Sequence, residues 1–131
     1  MFEFYNPNPS YKKRKNGKWK KPDCVLRALS KALDLSWEET FKVTVEEALK
    51  QFTVQNDNDV YKAILLRHGY EYHAVPAGRK PTVNEFAEEH PNDMCVLSVA
   101  NHLVYADSGK FYDTGDWSGS CKVYSYYIKK A

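Results

Sequence analysis

Apolar residues recur first at helical spacing and later in short runs separated by turn residues. In "KKPDCVLRALSKAL", Val25, Leu26, Leu29 and Leu33 make one stripe, which predicts an amphipathic helix from Cys24. Pro22 breaks what precedes it, and Asp23 is an N-cap residue type. Ser36 and Glu39 have capping-box spacing and predict a second helix, with Trp37, Phe41, Ala48, Leu49 and Phe52 on or near one face. The polar link "VQNDND" opens a third helix, roughly Val60 to Arg67, which Gly69 stops. "YEYHAV" reads as a short strand. Thr82 and Glu85 cap a short helix that ends before Pro91.

Beyond Pro91 the period changes. "MCVLSVA", "HLVYAD", "KFYDT" and "CKVYSYYI" are strand-like runs, and "DSGK" between two of them is a hairpin turn signal. Helices followed by adjoining strands predict an α+β fold with an antiparallel sheet. The chain has 131 residues, which suits one core.

Charge divides the chain unevenly. Lys12, Lys13, Arg14, Lys15, Lys18, Lys20 and Lys21 are opposed within residues 1–21 by Glu3 alone, whereas the remainder is mildly acidic. This predicts a basic N-terminal arm over residues 1–21 and a single domain over 22–131. Removal of residues 1–15 is expected to leave the fold intact, the alternative being that Phe2, Phe4 and Tyr5 form an edge strand or pack on the body. The seven basic side chains could take nucleic acid or an acidic partner, but a solvated leader explains them as well. No apolar run reaches the ~20 residues that span a bilayer, so no membrane partner is expected. "MFEFYNPNPSYKKRK" does not read as a secretory leader. Three cysteines with no Cys-x-x-Cys fit a reducing cytoplasm, and neither a metal nor an organic cofactor is indicated.

Cys24 is the candidate nucleophile. The start of a helix favours negative charge, and a thiol there loses its proton more easily. A nucleophilic thiol needs a base. His68 and His90 stand at helix ends, where capping explains them, and His73 lies in a presumed strand. His102 opens "HLVYAD", which folds back onto "KFYDTGD" and brings acids towards it. A two-residue turn at Ser108 and Gly109 puts Asp113 on the His102 face. A three-residue turn puts Asp116 there. The shorter turn is favoured, with Asp116 kept as the alternative.

The order Cys24, His102, Asp113 resembles that of the papain-like cysteine peptidase superfamily. "DCVLRALSKAL" is also similar to the cysteine helix of ovarian-tumour-type deubiquitinases, and "GDWSG" to the N-S-W-G of papain relatives. The closest overall resemblance, over Asp23 to Asp116, is to small papain-like proteins of bacteriophages and bacteria. The resemblance implies a papain-like α+β fold. It also implies a cysteine peptidase or related thiol acyl hydrolase cleaving an amide or isopeptide bond of a protein or peptide. Trp117 would then shield the site, and the setting would be the cytoplasm, the host's if phage-encoded. The pattern departs at Lys18, where papain relatives carry an oxyanion-hole glutamine, and at Lys21, where ovarian-tumour-type enzymes carry an acid. The oxyanion donors are then the Cys24 backbone N–H and a second group, for which Asn16 is the candidate and Asn101 the weaker alternative. The departures leave two other functions open: a catalytically idle binding module, such as a phage factor engaging a host protein, and nucleic-acid binding through the arm.

Overall fold

The computed structural model describes residues 1–11 and 19–130. Among the described residues, four α-helices and a six-stranded sheet make up an α+β fold. The helices are α1 (Cys24–Leu33), α2 (Trp37–Gln51), α3 (Asn58–Arg67) and α4 (Val83–Glu89). The strands are β1 (Phe2–Phe4), β2 (Glu71–Ala74), β3 (Asp93–Val99), β4 (His102–Asp107), β5 (Lys110–Asp113) and β6 (Ser125–Lys130). Their order across the sheet is β1-β5-β4-β3-β6-β2, antiparallel throughout except for the β1–β5 pair.

Strand alternation divides the core between two faces. Val96, Leu103, Tyr105 and Tyr127 pack with Ala28 and Leu29 of α1 and with Tyr61 and Leu65 of α3. Cys95, Leu97, Val104, Ala106 and Phe111 pack with Val83, Phe86 and Ala87 of α4. The sheet thus lies between α1 and α3 on one side and α4 on the other. Both predicted capping boxes form, at Ser36–Glu39 and Thr82–Glu85.

Three expectations are corrected. The boundary at residue 22 does not hold, because β1 pairs with β5 in the register Phe2↔Phe111 and Phe4↔Asp113. The Phe2 and Phe111 rings lie 5.5 Å apart, and Asn8 is buried against Asp23. Residues 1–11 therefore belong to the domain, and removing 1–15 would strip an edge strand from β5. Asp23 precedes α1, but its side chain makes no cap bond. The predicted apolar face of α2 packs inward only in part: Ala48 is buried, but Leu49 is 70% exposed and Phe52, just past the helix, 96%, while Thr40, Thr44 and Glu47 are buried in their place. Small hydroxylated side chains allow α2 to lie close to α1. The Ser30 and Thr40 hydroxyls donate to the carbonyls of Leu26 and Ser36, each one turn earlier, so no buried hydroxyl lacks a partner there.

Candidate active site

Three chain segments meet where β4 begins, β5 ends and α1 starts. The hairpin sets the meeting. Asp107 pairs with Lys110 and Tyr105 with Tyr112, so Ser108 and Gly109 are a two-residue turn. Both residues have positive φ, 52° and 77°, as the tight turns matched to strand twist require. That register brings Asp113 to His102: His102 Nε2 donates to Asp113 Oδ2 at 2.7 Å. Asp116 is instead exposed at the first residue of a short 3-10 helix (Asp116–Ser120).

With Nε2 engaged, Nδ1 is the ring nitrogen left for Cys24, whose thiol and the ring are close enough to shift each other's protonation. Burial pushes the thiol up. The hydrogen bonds with His102 and with the Leu103 backbone N–H, and then the charges of His102 and Arg27, outweigh that effect. The thiol therefore lies below its ordinary value. Burial lowers the His102 imidazole, yet the bonds with Asp113 and Cys24 raise it to about 9. These two shifts favour a thiolate beside an imidazolium.

Asp113 is 3% exposed and fully engaged. Oδ2 also accepts from Ser118 Oγ at 2.7 Å, and Oδ1 accepts from the Thr114 backbone N–H at 2.7 Å and from Arg27 Nη2 at 3.4 Å. Burial would raise its carboxyl, but the bond and charge of His102, followed by Ser118 and Thr114, hold it below the ordinary range. Trp117 lies over His102 with ring centroids 4.8 Å apart, its outer side in solvent at 56% exposure. Gly115 makes room for it, since a Cβ there would stand 2.9 Å from the indole.

A second buried carboxylate adjoins the nucleophile. Asp23 accepts from Asn8 Nδ2 at 2.9 Å, Trp19 Nε1 at 2.9 Å and Trp37 Nε1 at 3.0 Å, and it pairs with Arg27 Nη1. Burial works against its charge, and these donors together hold it below its ordinary value. Because its side chain turns to these partners, it leaves the first-turn N–H groups of α1 without a side-chain cap. A pocket of about 130 Å³ flanks the same turn, lined by Pro22, Asp23, Val25, Leu26, Gln55 and Asn56.

The structure thus brings Cys24, His102, Asp113 and Trp117 together and leaves Asp116 aside. Asn101 is exposed in the β3–β4 turn, with φ 55°. Asn16 lies outside the described residues, as do Lys12, Lys13, Arg14, Lys15 and Lys18 of the basic arm; Lys20 and Lys21 are exposed. Sequence reasoning missed Arg27, Ser118 and the Leu103 N–H. Arg27 had a signal, its i,i+4 spacing from Asp23. The other two had none. No helix among the described residues is long and apolar enough to cross a membrane. Comparison with family models, curated proteins and solved structures finds no match to this chain.

Proposed function

We propose that this protein is a papain-like thiol hydrolase that cleaves an amide or isopeptide bond of a protein or peptide substrate. One observation carries the reading: Asp113 holds Nε2 of the His102 ring at 2.7 Å, and the same ring stands close enough to the Cys24 thiol, at a helix start, to lower it. In this mechanism the Cys24 thiolate attacks the carbonyl carbon. The negative charge that develops on the carbonyl oxygen faces the uncapped first-turn N–H groups of α1. His102 passes its proton to the amine nitrogen as the C–N bond breaks, leaving a thioester on Cys24. His102 then takes a proton from water, whose oxygen attacks the thioester and releases the acid and the thiol. Asp113 keeps Nε2 protonated, so Nδ1 stays turned towards sulfur.

An acyl probe that traps thiol hydrolases as a thioester or thioether tests the reading. Incubation at pH 7 and peptide mass mapping should find the probe on Cys24 in wild type and nowhere in Cys24→Ala. A folded wild-type protein that leaves the probe unreacted sinks hydrolysis and favours the binding module.

A further inference from the structure

Arg27 is a charged side chain in the middle of a core-facing surface. Its neighbours Leu26, Ala28, Leu29 and Ser30 are all buried, and Arg27 itself is 7% exposed. Taking a guanidinium out of water is costly unless it is fully paired. Arg27 has two partners, one for each terminal nitrogen: Nη1 pairs with Asp23 Oδ1, and Nη2 lies 3.4 Å from Asp113 Oδ1. One carboxylate belongs to the helix start and the other to the hairpin that carries His102. A planar fork turns one nitrogen to each acid at a fixed angle, a geometry that a compact ammonium does not reproduce.

The remaining partners show what Arg27 contributes. Asp23 already has three neutral donors, from Asn8, Trp19 and Trp37. Asp113 already has Ser118, the Thr114 N–H and His102. Neither carboxylate needs Arg27 for its position. Arg27 instead supplies a positive charge, buried one turn from the thiol and between two negative charges. Without it, two carboxylates would stand near a thiolate with His102 as the one opposing cation among the described residues that act on it.

We propose that Arg27 is a positioning residue for the Cys24–His102 pair. Asp23 orients the guanidinium, which then offsets the Asp113 charge and favours the thiolate form of Cys24. This rests on the reading of Cys24 as a nucleophile paired with His102. It adds that the pH range of reactivity is set from the Asp23 side of α1 as well as from the hairpin. The groups facing Arg27 are Asp23 from its own helix start and Asp113 from β5, with Cys24 and His102 beyond them.

The test is the alkylation rate of Cys24 by iodoacetamide across pH, read by mass spectrometry, with melting temperature measured alongside. Arg27→Gln should move the acid midpoint of the profile up by about one unit. On the acid limb that is a roughly tenfold slower rate. Arg27→Lys keeps the charge but loses the fork that fixes it between the two acids, and its midpoint should fall between those of wild type and Arg27→Gln. A purely structural role would lower the melting temperature and leave the midpoint in place. A folded Arg27→Gln protein with the wild-type midpoint overturns the proposal. If that variant does not fold, Arg27→Lys decides: an unmoved midpoint overturns the proposal, and a raised one supports it. His102→Ala separates the two levels. If it leaves the Cys24 profile unchanged, the Cys24–His102 pair falls and the Arg27 role with it. If it moves the profile and the Arg27 variants do not, only the Arg27 role is lost.

Discussion

Cys24 and Cys95 are the same side chain, one on a helix packed against the sheet and the other within it, and their thiols shift in opposite directions. Cys95 is 1% exposed in β3, among Val83, Phe86 and Leu97. Burial raises its thiol to about 12, the charges of Asp93 and Asp107 add to that, and Lys130 only partly offsets them. Burial raises Cys24 too, but there a ring, a backbone N–H and two positive charges reverse the sign. Desolvation is therefore common to both sites, and what separates them is whether donors and cations face the sulfur. The start of β4 supplies both the His102 ring and the Leu103 N–H, and Arg27 adds a charge one turn along α1. Around Cys95 the neighbours are apolar, and the nearest charges are mostly negative.

The largest expected effect tests this contrast directly. At pH 7 iodoacetamide should label Cys24 at least ~10²-fold faster than Cys95. Three pH units between the ordinary thiol and Cys95 correspond to about a thousandfold in thiolate, and the lower nucleophilicity of a weaker base gives part of that back. Peptide mass mapping over time measures the ratio, and equal rates would break the comparison. His102→Ala should erase most of it, slowing Cys24 by ~10–10² near pH 6.5 and moving its midpoint up towards 9. The same pair predicts how stability depends on pH. His102 is raised from 6.5 to about 9, so its contribution is complete below pH 6.5 and fades as pH rises through 9. Asp113 is lowered from 3.8, so its contribution is present above that value and is lost on further acidification. Wild type should therefore melt highest between about pH 4 and 6.5, and His102→Ala should lose the alkaline part of the fall.

A smaller effect sharpens the contrast by asking which acid holds the base. Asp113→Ala should slow Cys24 labelling ~10-fold or more near neutral pH. It should also destabilise the fold by about 3–5 kcal/mol, because Arg27 loses a buried partner. Asp116→Ala, at an exposed position, should stay within twofold of wild type in rate and within ~0.5 kcal/mol in stability. Labelling rates and thermal melts of both variants check this. The reverse ranking would mean that His102 does not depend on the carboxylate beside it.

Local features of this arrangement were readable in the sequence, and contacts between distant segments were not. The turn at Ser108 and Gly109 follows from two adjacent residues that tolerate positive φ, and from it comes the Asp113 register. Asp23 was misread because its type and position suit a cap, while the two indoles and the amide that claim it come from residues 8, 19 and 37. Phe2, Phe4 and Tyr5 offer an edge strand only as an alternative to a solvated arm, because a three-residue strand has no detectable period and its partner lies more than a hundred residues away. In α2 the apolar residues outnumber the threonines, but close approach to α1 favours small side chains. No hydrophobicity pattern encodes that preference. A residue such as Leu103, which acts through its backbone N–H, leaves no mark in side-chain identity.

The smallest expected effect comes from Cys95. If its thiol is only a packed side chain, Cys95→Ala should leave the Cys24 alkylation profile superimposable on wild type. The cavity left by the sulfur should lower stability by ~1–2 kcal/mol, since the surrounding Val83, Phe86 and Leu97 relax only in part. For a chain of this length that is roughly 3–8 °C in Tm. Cys95→Val fills the space with a β-branched apolar side chain suited to a central strand, and should recover much of the loss. Thermal melts and alkylation at three pH values on the same samples separate the two readouts. A change in the Cys24 midpoint on replacing Cys95 would show that the two thiols are coupled through the sheet. The opposite shifts would then belong to one system rather than to two separate environments.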